Sequence, residues 1–383
     1  MFKTTDAYLA GYYGMRNSGD DALMYATAWG AKNLLKAKTT ILGLFGDHER
    51  HNPADKQLNL NFVQKFSGQN RIAHYTAAIK SKRIIFGGGS VLHSDTDINM
   101  KRHLMSLSST KNSLAVGVSL GPFQSTASEK ACTNFLNECG FVGVRDERSL
   151  AIARCIAPKA NVEKTFDLAP LLLCSDQYQP GNKKRKGIAL ALCPVAIDPM
   201  GKTNKQAEKN RIEEICQLIT TIYNNTGESI TLIEFNGHSS LGDWSINNPI
   251  MARLKLTIPL TIKPYNPNPF AVLQDITSYK ALISMRLHGA VLGYLAKTPV
   301  ISINYHEKCL GWCQQIGLAK DYQVNLEDQS IKEIIRPLEQ GLAHGFTKPS
   351  LSVKNALKMA LSNWSINHEQ TKIHSRYSAL QQS

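Results

Sequence analysis

The chain is 383 residues long, 43% hydrophobic and 19% charged, a composition that excludes a disordered protein and a length that implies two domains rather than one core. Its 44 Lys and Arg against 30 Asp and Glu give a formal charge of +14, so an anionic partner is expected; no zinc-finger spacing, aromatic-rich RNA-binding signature or long basic helix points to nucleic acid. Phosphorylated substrates and an anionic membrane surface fit the charge instead.

Eight cysteines, at 132, 139, 155, 174, 193, 216, 309 and 313, include no CxxC pair, which argues against a zinc site or a disulfide framework and reads as reduced thiols. The start, Met1 to Ala7, lacks a signal-peptide core, and no apolar run approaches the roughly 20 residues that span a bilayer. The reading is a cytoplasmic protein able to meet a membrane from its inner face.

The N-terminal half alternates strand-like and helix-like segments. Ala7–Ala10 leads to a helical stretch from about Asp21 to Leu35, then to strand candidates at 40–44, 83–86, 114–118 and 141–144. Such alternation implies parallel βαβ units in a doubly wound sheet. After Leu171-Leu172-Leu173 the composition breaks: residues 174–187 are polar, carry Pro180-Gly181 and hold the basic run Lys183-Lys184-Arg185-Lys186, which reads as a solvated linker. The alternation restarts with Ile188–Leu192, a long helix from about Gln206 to Asn224, and strands at 229–233, 281–283 and 300–303. We therefore expect an N-terminal α/β domain over residues 1–175, a C-terminal α/β domain over 188–345 and a helical tail over 346–383. The fold class is α/β, two Rossmann-like domains facing across a cleft, with C-terminal helices that either dock back or fray. Neither GxxxxGK[ST] nor GxGxxG occurs, against a P-loop NTPase and against dinucleotide binding.

Three glycine-rich loops follow strands of the first half. Gly11 to Leu23 contains Gly14, Asn17, Gly19 and Asp20, residues that either cap the next helix or offer free backbone amides to an anion or a sugar hydroxyl. Gly87-Gly88-Gly89-Ser90 lets a substrate or a neighbouring loop approach the backbone; His93 and Asp95 stand beside it, Asp95 also suiting a helix cap. Gly117 to Phe123 reads as a structural turn. Beyond them, Arg145 suits an anion, with Asp146 as a helix cap or as its orienting partner, and Asp167 is a further strand-end carboxylate.

In the second half, Ser284 to Ala290 places Arg286 and His288 between a buried strand and a packed helix. In an extended connector these two share a face, with Met285 and Leu287 anchored beneath. Arginine grips a planar anion bidentately and histidine exchanges a proton near neutral pH. A surface arginine beside a core histidine is the other reading. Asn236-Gly237-His238 and Gly242-Asp243-Trp244 read as a loop that either lines the site or is a surface turn.

Taken in order, these elements resemble the polysaccharide pyruvyl transferase family: GYYGxxNxGDxAL (Gly11 to Leu23), GGGSxL (Gly87 to Leu92), GxSxGP, VRDxxS (Val144 to Ser149), Asp167 with Pro170, MRLHG (Met285 to Gly289), and Pro299 through Tyr305 to Lys308. The match runs over roughly residues 7 to 310; it departs from the family pattern at Asp21, where Glu is common, and at Leu168-Ala169-Pro170.

The resemblance implies glycosyltransferase-B-like architecture and an enzyme of exopolysaccharide biosynthesis. It would move the enolpyruvyl skeleton of phosphoenolpyruvate onto two hydroxyls of a sugar, as a pyruvate ketal, releasing phosphate. The partners are phosphoenolpyruvate, as co-substrate, and a glycan or glycolipid acceptor; no metal or other cofactor is expected. On this reading His288 is the general acid and Arg286 holds the donor, with Arg145, Lys308, Gly289 and Tyr305 also on the donor side. Gly14, Asn17, Gly19, Asp20, Gly88, Gly89, Ser90 and His238 belong to the acceptor or its loops, Asp20 being a base for the incoming hydroxyl or a cap. Two alternatives stand beside it. One is a nucleotide-sugar glycosyltransferase with Tyr265 and Asp275 as nucleoside-binding candidates, and the other a non-catalytic carbohydrate-binding or scaffold protein.

Overall fold

Seven short strands, β1 (Ala7–Ala10), β2 (Thr40–Phe45), β3 (Lys56–Leu60), β4 (Ile84–Leu92), β5 (Leu114–Leu120), β6 (Phe141–Val144) and β7 (Val162–Lys164), pair in parallel in the order β3-β2-β1-β4-β5-β6-β7. The structure is a computed structural model and describes residues 3–46, 52–181, 184–194, 204–326 and 329–365. Helices α1 (Ser18–Asn33), α2 (Gln69–Lys80), α3 (Asp95–Leu107), α4 (Thr126–Glu138) and α5 (Glu147–Ile156) connect the strands. The central strands are apolar runs buried on both faces, β1, β5 and β6 without an exposed residue, as a sheet sandwiched between helices requires. The strand order reverses between β1 and β4; the first glycine loop follows β1, and the second glycine run lies within β4.

A second parallel sheet has the order β10-β9-β8-β11-β12-β13. Its strands are β8 (Ile188–Ala191), β9 (Ile230–Ile233), β10 (Leu260–Lys263), β11 (Ala281–Ser284), β12 (Val300–Asn304) and β13 (Gln323–Asn325). Between and after them run α6 (Lys205–Thr226), α7 (Trp244–Leu254), α8 (Pro269–Ile276), α9 (Leu287–Leu295), α10 (Glu307–Ile316) and α11 (Ile335–His344), and α12 (Val353–Leu361) follows. Both sheets thus follow the Rossmann strand order, and in the second the reversal lies between β8 and β11.

The chain divides into two compact units. The first holds residues up to Tyr13, Leu23–Leu171 and the stretch from Lys354; the second holds Gly14–Ala22 and Leu172–Val353. The division therefore falls at Leu171 rather than near 175. Two segments change sides relative to the sequence expectation: Gly14–Ala22, with the first turn of α1, groups with the second unit, and the end of the described chain groups with the first. Asn363 explains the latter. It is fully buried, accepts from Gly117 N (2.6 Å) and Thr165 Oγ1 (2.7 Å), and donates to the Phe166 and Ala360 carbonyls, so every polar atom of its amide has a partner. Residues 366–383 of the expected tail lie outside the described residues.

The basic run also differs from its reading as a solvated linker. Arg185 donates to the carbonyls of Tyr279, Ala296 and Lys297, the last at 2.8 Å, and so closes the C-terminal end of α9; Lys183 lies outside the described residues. Among the described residues no helix is long and apolar enough to cross a membrane.

Candidate active site

In the second unit the backbone amides of Met285 and Arg286 both bond the carbonyl of Ala191, which fixes the end of β11 to the end of β8 at the point where the strand order reverses. Arg286 does not continue the strand. It is the N-cap of α9, which begins at Leu287, so the expected shared face of Arg286 and His288 in an extended connector is not what forms. Met285 is fully buried as expected, whereas Leu287 is half-exposed in the first helical turn.

The Arg286 guanidinium meets the fully buried carboxylate of Asp243: Nε at 3.1 Å and Nη2 both donate to Oδ1. Oδ2 accepts from the amides of Phe235 (2.9 Å) and Asn236 (3.0 Å). Four donors on one carboxylate are what an ion needs to remain charged in the interior. Burial pushes the Asp243 carboxyl up, against the pull of Arg286 and the two amides. Burial likewise opposes the Arg286 charge, but Asp243 and the neighbouring Cys193 hold the guanidinium above its ordinary range. The expectation that Arg286 grips a ligand is therefore modified, because Nε and Nη2 are spent on Asp243.

His288 is the second residue of α9, whose N-cap supplies no side-chain hydrogen bond to the first turn. A helix start of this kind turns backbone N–H groups and the positive end of the dipole toward an anion. The imidazole packs against Gly19 in the first turn of α1: a Cβ there would lie 2.6 Å from His288 Cγ and 2.8 Å from its Cβ. The structure thus brings Gly19 to His288. Asp20 is not the cap of α1. That is Asn17, whose side chain accepts from Gly19 N at 3.0 Å and whose backbone bridges to Asn236. Gly14 takes a positive φ of 79° in the turn before it.

Tyr305, after β12, is brought into the same group. It hydrogen-bonds Cys193, and burial raises both hydroxyl and thiol, the thiol to about 11. Lys308 is exposed in the first turn of α10, where His306 is the cap. Gly289 is needed for packing rather than for a side-chain-free approach by a ligand, since a Cβ on it would strike Ser284 Oγ and lie 3.2 Å from Ala191 Cβ. His238 serves its own turn: Nδ1 accepts from the amides of Ser240 and Leu241, both at 3.2 Å.

A family model for polysaccharide pyruvyl transferase matches residues 17–307, about three quarters of the chain. The chain belongs to the polysaccharide pyruvyl transferase family. No curated protein matches it significantly. Among solved structures it is similar to a UDP-GlcNAc 2-epimerase from Neisseria meningitidis bound to UDP-GlcNAc (13% identity, 94% of this chain and 100% of that one, TM-score 0.57). It is also similar to a putative UDP-N-acetylglucosamine 2-epimerase from Listeria monocytogenes (7% identity, 92% and 94%, TM-score 0.61) and to Anabaena HepE in complex with UDP and glucose (11% identity, 99% and 100%, TM-score 0.55). At these identities the likeness is one of fold, a pair of Rossmann-like units of the GT-B class.

The glycine elements of the first unit are arranged differently from expectation. Gly87-Gly88-Gly89 is not a loop after the strand: β4 runs through it to Leu92, and pairing with β5 shifts register between Gly89 and Leu92. Gly88 and Gly89 take φ of 69° and 86°, which only glycine adopts readily, and Leu23 packs against Gly88 where a side chain would stand. Ser90 is exposed; His93 Nδ1 bonds the Ser90 carbonyl at 3.1 Å, and the cap of α3 is Ser94 rather than Asp95. Arg145 donates to Asp167 Oδ2 (3.0 Å) and Ser119 Oγ (2.6 Å), while Asp146 caps α5. Arg145 and Ser90 belong to the first unit, the Arg286 group to the second.

The pairings of Asp243 with Arg286 and of Asp21 with Tyr265 are what residue reading does not give. Asp243 shows in the sequence only as part of a polar loop 43 residues from its partner. Asp21 looks like a second cap candidate but is buried, and Tyr265 donates to its carboxylate at 2.6 Å. Burial pushes the Asp21 carboxyl up to about 8, partly offset by that bond and reinforced by Asp20. The sequence signals at these positions are the departure from Glu at position 21 and Tyr265 as a nucleoside-binding candidate, and neither announces the bond between them.

Proposed function

We propose that the chain forms a pyruvate ketal on a sugar, with phosphoenolpyruvate as donor and no further cofactor. The observation that carries this reading is His288 in the first turn of a helix whose start has no side-chain cap, next to an arginine locked by a buried carboxylate. The donor's phosphate or carboxylate sits at the α9 N-terminus, where N–H groups and dipole favour an anion. His288 gives a proton to the methylene carbon, C2 becomes electrophilic, and a sugar hydroxyl adds there. The C2–O bond to phosphate then breaks, and a second hydroxyl closes the ketal. Of the two hydroxyl protons, one ends in the new methyl group and one on phosphate, so His288 returns to its starting state. Arg286 sets the base of the site; Tyr305 and Lys308 are the remaining donor-side candidates in the second unit, and Asp20 is the candidate base. A glycolipid acceptor would be met at an anionic membrane surface.

The test is release of phosphate from phosphoenolpyruvate in the presence of galactose-, mannose- or hexosamine-containing acceptors, with ketal formation read by proton NMR. No acceptor-dependent release from any of these, or turnover within about tenfold of wild type in His288→Ala, sinks the reading.

Of the fold neighbours named above, the Neisseria epimerase is bound to UDP-GlcNAc and HepE to UDP and glucose, which supports nucleotide-sugar transfer as a second reading. Against it, Tyr265 is engaged with Asp21, with the Arg16 guanidinium 5.9 Å from its ring centre, and Asp275 pairs with Lys263 at 2.5 Å. Calorimetric titration with phosphoenolpyruvate against uridine and guanosine nucleotides separates the two.

A further inference from the structure

Four of the eight exposed large apolar side chains among the described residues fall within eleven positions, Phe62, Val63, Phe66 and Ile72. Val63 is 88% exposed and the other three are each more than half exposed. They stand on the connection from β3 to α2 and on the first turn of α2. This connection has a built shape. Asn70 accepts from Asn61 N and donates to the Asn61 carbonyl, Gln69 accepts from Lys65 N at 2.7 Å, and Gln64 accepts from Asn70 N. Polar side chains therefore clamp the backbone from within while the apolar ones point outward, an arrangement that costs solubility unless something covers it.

The charge around it says what does. From Lys56 to Ser94 the sequence has six Lys and Arg and no Asp or Glu. Lys82 pairs with Asp6, but Lys65 and Arg71, both exposed and flanking the apolar residues, make no ion pair among the described residues. Exposed phenylalanines and aliphatic side chains fringed by cations match the interface of an anionic bilayer better than another folded surface. The patch is also tied to Tyr13, a few residues beyond β1 in the same unit. The Phe62 ring lies 5.4 Å from that of Phe45, and Phe45 N bonds the Tyr13 carbonyl at 3.1 Å.

We propose that the loop Asn61–Gly68 with the first turn of α2 is a docking surface for an anionic lipid bilayer, Phe62, Val63, Phe66 and Ile72 entering the headgroup region and Lys65 and Arg71 resting on its phosphates. Docking stands without the proposed reaction; only its use, bringing a membrane-borne acceptor to the enzyme, rests on that reading.

The full chain is floated with vesicles of phosphatidylcholine alone and with phosphatidylglycerol added, without substrate. Binding to the anionic vesicles is expected, weakening steeply with salt. Phe62→Ser with Phe66→Ser should lower the partition coefficient tenfold or more, and Lys65→Gln with Arg71→Gln should lower it by roughly fivefold per charge and flatten the salt dependence. The exposed positions predict unchanged melting temperatures, and phosphate release with a soluble acceptor should be unaltered in both variants. Wild-type chain that stays with the solvent at low salt overturns the proposal, as does equal vesicle binding by the double-serine variant. Concentration-dependent self-association abolished by the serine substitutions, without vesicle binding, would assign the patch to a second copy of the chain and equally overturn it.

Discussion

Both units contain a strand, an arginine and a helix in immediate succession, and they use that succession differently. After β6, Arg145 is 8% exposed, its guanidinium set on Asp167 and Ser119, and the next residue, Asp146, folds its carboxylate over the start of α5. After β11, Arg286 is 20% exposed on Asp243, and the next residue is Leu287, which has no group to cap α9. The helix start that an acid closes in the first unit is left without a side-chain cap in the second, and His288 stands there. Two strand-end arginines are therefore not equal evidence for a site; the residue that follows each one decides whether the helix N-terminus is filled from within.

The largest effect expected from this contrast is at His288. Replacing it by Ala should lower turnover by roughly 10²–10⁴, the usual range for a general acid, with a melting temperature close to that of the wild type. Retained turnover would erase the difference between the two helix starts.

The buried pairs test the same contrast through stability. Removing one partner of a buried ion pair costs about 3–5 kcal/mol because the other charge is stranded. Asp167→Ala should sit at the upper end in a denaturant titration, since Arg145 has little access to water. Asp243→Ala should cost less, because Arg286 is more exposed, while lowering turnover more. If instead Asp167→Ala keeps its stability and loses turnover, the Arg145 pair serves activity rather than the stability of its unit.

A subtler break is Gly19→Ala. In an exposed helix this change stabilises by about 1 kcal/mol, yet here the new methyl group meets the His288 ring. We expect a fall in kcat of roughly tenfold with KM little changed, at a stability cost of about 1–3 kcal/mol from the crowding of His288, so that a folded variant with lowered kcat tells positioning of His288 from loss of the fold.

How much of this the sequence carries follows from what is local. The strands read from residue pattern, such as Ala7–Ala10, Phe141–Val144 and Ile188–Leu192, are interior strands of the two sheets, where both faces demand apolar residues. The strands not read, Lys56–Leu60, Val162–Lys164, Leu260–Lys263 and Gln323–Asn325, are the edges of each sheet, short and half polar because one side of each faces no partner strand. Arg286 and His288 are likewise legible, since the turn from strand to helix is written beside them. Their partners are not: Asp243 and Gly19 reach them only through the order in which parallel strands and their loops assemble. The grouping of Gly14–Ala22 with the second unit is also a contact of distant segments, which no local pattern announces.

The smallest effect is the most specific, because it concerns a proton rather than a contact. Burial raises the Asp21 carboxyl to about 8 against the pull of the Tyr265 hydroxyl, with Asp20 adding repulsion and Arg16 facing the Tyr265 ring. The folded chain thus keeps a proton that an unfolded Asp loses near pH 4. A folded pKa above the unfolded one contributes stability that is fully present below the unfolded value and is lost as pH rises through the folded one. Asp21→Asn keeps an acceptor for Tyr265 and removes the titration. Its melting temperature should equal the wild type's near pH 4 and exceed it increasingly as pH rises toward 8 and beyond. The first turn of α1 is where Asp21 and Gly19 both lie, so strain from an ionised Asp21 would pass to His288 and lower wild-type turnover above pH 8. Parallel pH–rate profiles for wild type and Asp21→Asn would show that Asp21 only holds the turn, whereas a basic limb lost in the variant would tie its proton to the placement of His288.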